Sequence, residues 1–255
     1  VLFRSLDNDG DLDALIMTSN LDDSFFLRNV GTPESPSYQA ESNAFNGKDF
    51  PLDRENARGP FYFYNHSTGV LVDITGDGKL DLVLGRKGET LPQYATINRL
   101  RIFENVGSYA EPSFSLLPIT NFPVGTFAVP AVADINQDGD FDIVVGSSDG
   151  GLQYIENTGT AGDPVLVEAA SVNPFADVVR QGASVYGITT APSLGDLNGD
   201  GFPDAIVGDS TGKLTTYLSQ AGFSADPSAS TSERYRETVL VELGETQDVL
   251  TRSEE

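Results

Sequence analysis

Asp134-Ile135-Asn136-Gln137-Asp138-Gly139-Asp140-Phe141-Asp142, running straight into Ile143-Val144-Val145-Gly146, is the stretch on which the reading of this chain turns. It recurs. Asp73-Ile74-Thr75-Gly76-Asp77-Gly78-Lys79-Leu80-Asp81 leads into Leu82-Val83-Leu84. Asp196-Leu197-Asn198-Gly199-Asp200-Gly201-Phe202-Pro203-Asp204 leads into Ala205-Ile206-Val207. Near the start, Ser5-Leu6-Asp7-Asn8-Asp9-Gly10-Asp11-Leu12-Asp13 leads into Ala14-Leu15-Ile16-Met17, with only Ser5 departing from an acid at position 1. The four loops begin at residues 5, 73, 134 and 196, so the unit is some sixty residues long. A fixed period of that size marks a repeat architecture.

A second signature travels with the first. Arg28-Asn29-Val30-Gly31, Glu104-Asn105-Val106-Gly107 and Glu156-Asn157-Thr158-Gly159 follow the first three loops; Ser219-Gln220-Ala221-Gly222 is its degenerate fourth copy. The segments around these signatures are short, β-branched or aromatic, and bounded by Gly, Asp and Asn, as strands are. No segment holds a period of 3.6. The chain therefore reads as all-β with about four strands per repeat. Four-stranded units at this spacing predict a β-propeller arc of about four blades, stacked because one blade cannot bury both of its faces. The first strand of each unit is expected innermost and most apolar. Expected blades are 6–41 (incomplete, without its inner strand), 68–118, 127–169 and 189–222. Residues 223–251 read as a linker or the start of a further unit. Val1–Ser5 and Arg252–Glu255 are what the ends of a common sequencing adapter encode, so both are expected to be foreign to the natural chain, which is then a fragment.

Composition narrows the chemistry. The chain has 255 residues, 38 acidic against 15 basic, a formal charge of −23, one His and no Cys. A disulfide framework, a thiol nucleophile and a Cys or His zinc site are excluded. Nucleic acid is a poor partner for such a charge. No apolar run is long enough for a helical membrane span. His66 has no partners for a catalytic triad, and no catalytic constellation emerges.

Cations are the natural counterpart. Calcium takes six to eight oxygen ligands in flexible geometry. Positions 1, 3 and 5 of a tight loop turn inward together, Gly at position 6 permits the turn, the position-7 carbonyl faces the ion, and the acid at position 9 closes the shell. The candidate ligands are Asp7, Asp9, Asp11 and Asp13; Asp73, Thr75, Asp77, Lys79 and Asp81; Asp134, Asn136, Asp138, Asp140 and Asp142; and Asp196, Asn198, Asp200, Phe202 and Asp204. Asp11, Lys79, Asp140 and Phe202 contribute through their carbonyls. Up to four calcium ions are expected. An EF-hand is ruled out, since position 12 is Leu84, Val145 or Val207 and a strand follows. The alternative for any one loop is a plain hairpin turn rich in Asp, Asn and Gly.

These loops, with stretches such as Ile155–Pro164, make residues 6 to 222 resemble the FG-GAP/VCBS repeat family, which includes the calcium-bearing propellers of integrin α-chains. Literal Phe-Gly and Gly-Ala-Pro signatures are replaced by Val129-Pro130-Ala131 and Ala191-Pro192-Ser193, a lean towards the VCBS branch. The resemblance implies a ring of seven blades, completed by further blades of the same chain. It also implies an extracellular or cell-surface module for adhesion, non-catalytic, with a protein or glycan ligand. The alternative is a scaffold or glycan-binding arm of a polysaccharide-active enzyme. The long insertions Ser42–Ser67, Arg86–Asn98 and Ala170–Thr189 fall on one rim, where Tyr62, Tyr64, His66, Tyr94 and Tyr186 are candidate ligand contacts. Against this stands the general tendency of aromatics to be buried, which casts Phe61–Tyr64 as a strand and Phe175 as a plug between blades.

Overall fold

The computed structural model describes residues 2–16, 25–41, 67–86, 100–109, 112–118, 122, 124–168, 173–176, 178, 189–219 and 235–242. These residues form sixteen strands in four sheets, each an antiparallel meander in chain order. The first sheet is β1 (Leu2–Arg4), β2 (Asp13–Ile16), β3 (Phe25–Asn29) and β4 (Tyr38–Glu41). The second is β5 (Ser67–Val72), β6 (Asp81–Arg86), β7 (Leu100–Asn105) and β8 (Phe114–Leu116). The third is β9 (Val129–Ala133), β10 (Asp142–Gly146), β11 (Leu152–Asn157) and β12 (Leu166–Glu168). The fourth is β13 (Thr190–Gly195), β14 (Asp204–Asp209), β15 (Lys213–Ser219) and β16 (Tyr235–Glu242). The described residues contain no helix, and this all-β arc of four blades is the architecture read from the repeats.

Packing follows the alternation of side chains along a strand. Residues on opposite faces of one strand enter different cores. Leu82 and Leu84 of β6 join Leu6, Leu15 and Phe26 in a core between the first and second sheets. Val83, on the other face of β6, joins Ile143 and Val145 of β10 between the second and third sheets. Val144 of β10 then meets Ala205, Val207 and Tyr217 between the third and fourth. Three apolar interfaces thus hold four sheets, and the innermost strands β1, β5, β9 and β13 lie against one another in sequence order.

Three expectations need correction. Leu2–Arg4 is not outside the fold: it pairs with β2 from Leu2 opposite Leu15 to Arg4 opposite Asp13, and it supplies the inner strand the first blade was expected to lack. Tyr235–Glu242 is neither linker nor a new unit. It pairs along β15 from Ser219–Tyr235 to Lys213–Glu242 and closes the fourth sheet, so that blade extends beyond residue 222. In the second and third blades the second strand is buried more completely than the innermost one. β10 is buried throughout and β6 along all but its last residue, whereas β9 and β13 alternate with partly exposed positions. β6 and β10 each send side chains into a core on both of their faces, which is why they are so completely buried.

Candidate metal centre

The nine-residue loops join the first and second strands of every sheet, and their backbones are near copies. Position 6 is left-handed in all four, at Gly10, Gly78, Gly139 and Gly201 (φ +87° to +99°). So is position 4, at Asn8, Gly76, Gln137 and Gly199, with φ +60° to +79°. The second requirement was missed from sequence, although Gly or Asn at position 4 in three copies is its signal.

The acid at position 1 caps this turn from within. Asp134 Oδ1 and Oδ2 accept from the N–H groups of Asp138 and Gly139 at 3.1 Å each. Asp73 does the same for Asp77 and Gly78, and Asp196 for Asp200 and Gly201. In the first loop Ser5 Oγ takes over half of the task, accepting from Gly10 N–H at 3.1 Å. Position 5 accepts from the position-7 N–H in each loop, through Asp9, Asp77, Asp138 and Asp200.

Position 9 opens the second strand and is fully buried: Asp13, Asp81, Asp142 and Asp204 each have 0% exposure. One carboxylate oxygen accepts from the N–H of position 2 in three loops (Leu6, Ile135, Leu197) and from that of position 3, Thr75, in the second. The donor to the other oxygen lies at the end of the third strand: that oxygen accepts from Asn29, Asn105, Asn157 or Ser219 N–H at 2.7–2.9 Å. The buried Asn side chains carry the clamp onward. Asn157 Oδ1 accepts from Gly159 and Val165 N–H, Asn105 Oδ1 from Gly107 and Ser113, and Asn29 Oδ1 from Gly31 and Ser37. The two sequence signatures are therefore halves of one hydrogen-bonded device. That link escaped the sequence reading because the partners are 15 to 24 residues apart.

Electrostatics follow from this crowding. Burial pushes the carboxyls of Asp81 and Asp142 up to about 6, against the lowering effect of their backbone hydrogen bonds. Burial and the neighbouring acids Asp13 and Asp9 raise Asp7. The Gly201 N–H, with those of Gly199 and Asp200, holds Asp196 below the usual carboxylate range. Burial would raise Asp77, but the Lys79 ammonium beside it brings it below its ordinary value.

As the loops stand, no three or more His, Cys, Asp or Glu side chains among the described residues converge as a group able to hold a metal ion; the carboxylates face backbone donors instead. By donor chemistry the third and fourth loops fit calcium. Each offers three carboxylates and an Asn amide oxygen, and the acids at positions 1 and 5 are not buried. Their Asn side chains touch the position-5 acids, Asn136 Nδ2 to Asp138 Oδ2 at 2.9 Å and Asn198 Nδ2 to Asp200 Oδ2 at 3.0 Å, so positions 3 and 5 share one side of the turn. The first two loops differ, since a basic side chain meets their acids: Arg28 Nη1 lies 3.3 Å from Asp7 Oδ2 and Lys79 Nζ 2.8 Å from Asp77 Oδ2.

The candidate ligand contacts Tyr62, Tyr64, His66, Tyr94 and Tyr186 lie outside the described residues, as does Phe61–Tyr64 as a whole. Phe175 is fully buried in the core between the third and fourth sheets, the plug role its residue type favoured.

Comparison with known proteins agrees with this architecture. Residues 73–145 and 134–207 match the FG-GAP-like repeat. Human integrin alpha-6 is 35% identical over 99 residues, spanning 36% of this chain and 8% of the integrin. Among solved structures, a lectin from Agrocybe aegerita, described as recognising non-reducing terminal N-acetylglucosamine, superposes with a TM-score of 0.52 at 18% identity. That match covers 94% of this chain and 51% of the lectin chain. The chain thus spans a small part of one relative and about half of the other.

Proposed function

The chain belongs to the FG-GAP-like repeat family, and from that premise we propose that it is a non-catalytic, calcium-stabilised propeller module binding a protein or glycan ligand outside the cell or at its surface. The observation that carries the calcium reading is the recurrence of one oxygen-rich turn, with the same backbone and with acids at positions 5 and 9, between the first two strands of every blade. Asp134, Asn136, Asp138, the Asp140 carbonyl and Asp142 would hold the ion in the third loop. Asp196, Asn198, Asp200, the Phe202 carbonyl and Asp204 would do so in the fourth. A bound calcium ion supplies positive charge that relieves the repulsion among these acids. The chain's own residues set the turn: the left-handed positions 4 and 6 bend it, and the buried position-9 acid ties it to the third strand.

An extracellular setting suits such loops, because extracellular modules bind calcium at roughly 10⁻⁴–10⁻³ M. The integrin relative supports a surface role, and the lectin of like fold supports a glycan among the ligand classes. The acids best placed for chemistry are committed to turns, which supports a binding rather than a catalytic role.

Calorimetry in millimolar calcium and in EGTA tests the calcium reading. At about ten times Kd each filled site adds roughly 1.4 kcal/mol, so chelation is expected to lower Tm by several degrees. An unchanged melting curve overturns it. A glycan array separates the ligand classes, and turnover of any bound glycan would overturn the non-catalytic reading.

A further inference from the structure

The four loops differ in what meets their acids. In the third and fourth loops the outer oxygen of the position-5 acid meets a neutral amide, Asn136 Nδ2 on Asp138 Oδ2 and Asn198 Nδ2 on Asp200 Oδ2. In the second, the equivalent Asp77 Oδ2 meets the Lys79 ammonium at 2.8 Å. That ammonium also donates to the backbone carbonyls of Asn105 at 2.7 Å and Gly107 at 3.3 Å. An ammonium has three donors and no acceptor, and here three oxygens from the loop and the end of β7 receive them. It is an oxygen-coordinated cation built into the chain.

The first loop reaches the same end from another element. The residue before the buried Asn at the end of the third strand is Glu104 in the second sheet and Glu156 in the third, but Arg28 in the first. Glu156 Oε1 accepts from Asn136 Nδ2 at 3.2 Å, which places negative charge beside the third loop. At the matching place Arg28 Nη1 donates to Asp7 Oδ2 at 3.3 Å. The first loop also lacks a carboxylate at position 1, where Ser5 stands. Like charges a few ångströms apart repel strongly where water is partly excluded, and the paired side chains are at most 25% exposed. A divalent ion entering either loop would have to displace a tethered cation from its carboxylate.

We propose that the first and second loops are neutralised internally by Arg28 and Lys79, so that only the third and fourth take a calcium ion. This rests on the calcium reading above and divides it: two blades carry their own cation and two borrow one from solvent.

Calcium stoichiometry by isothermal titration and by equilibrium dialysis tests it on the full chain, with circular dichroism to verify folding of each variant. The expected result is two ions per wild-type chain, three for Lys79→Gln, one for Asp138→Asn or Asp200→Asn, and still two for Asp77→Asn. Three or four ions on the wild type, or loss of one in Asp77→Asn, overturns the inference and leaves the calcium reading standing. Two ions in Lys79→Gln as in wild type also overturns it, since Lys79 is then not what keeps the ion out. No ion on the wild type or any variant overturns the calcium reading, and the inference with it.

Discussion

Asp81 and Asp142 show what a single buried acid does in this fold. Each is a fully buried carboxylate that ties the start of one strand to the end of the next, and Asp142 also accepts from Tyr154 Oη at 3.0 Å. Removing either acceptor strands two buried N–H groups, at about 1–3 kcal/mol apiece. Because burial raises both acids from 3.8 to about 6, the native state binds their protons more tightly than the unfolded chain. The stabilisation from protonation is full below about pH 4 and is lost as pH climbs through 6, on the order of 3 kcal/mol for each acid. In metal-free buffer Tm is therefore expected to fall between pH 4.5 and 7, and calcium should flatten the trend by stabilising the charged loops. A scanning series in EGTA in which Tm rises across that range would contradict this. The position-9 acids were visible in the sequence as ligands. Their second partner was not, because it comes from another strand.

Between elements, glycine decides how closely blades approach. Gly146 ends β10, and a Cβ there would collide with the carbonyl of Thr190 and lie 2.7 Å from Pro192 Cδ on β13. Gly85 stands in the same relation to Ala128 and to Pro130 Cδ at 2.6 Å. The X-Pro pair before the third and fourth loops (Val129-Pro130, Ala191-Pro192), legible as a weak motif, is thus the partner of a glycine in the preceding blade. Gly208 holds the same place on β14, yet among the described residues a Cβ there meets only Leu214 Cδ2 at 3.3 Å and the Ala191 carbonyl at 3.9 Å. Gly146→Ala is expected to destabilise by about 1–3 kcal/mol through forced separation of β10 and β13. Gly208→Ala should fall within about 0.5 kcal/mol of wild type, the range of substitutions that strain nothing. Urea denaturation of both variants checks the contrast, and equal losses would refute it. The hairpins themselves were readable from turn residues and alternating strands. β16 was not, because a Ser-, Ala- and Pro-rich stretch separates it from β15 and only pairing shows that it returns to the same sheet.

Across the molecule, stability resides in three interfaces that no single blade contains. Position 2 of the loop shows this. Leu6, Ile74 and Ile135 are buried at 2–3% exposure, and each joins the core shared with the following sheet, whereas Leu197 of the fourth blade is 50% exposed. Ile135→Asp places a charge in an interface and is expected to cost upwards of 3 kcal/mol. Leu197→Asp should leave Tm within a degree or two. Thermal melts of the pair test this, and comparable losses would show that the blades do not depend on their neighbours in this order.

Period, fold class and the acidic turns were all legible in the linear chain, because each is local: a run of donors around a glycine, a short apolar strand, a spacing that repeats. Other features arose only on folding. Leu2–Arg4 became an inner strand through pairing with β2, β6 and β10 became buried through contact on both faces, and the return of the third strands brought Arg28 to Asp7 and the Asn105 and Gly107 carbonyls to Lys79. Each depends on contacts between segments far apart in sequence, whose energies appear only once the sheets are stacked.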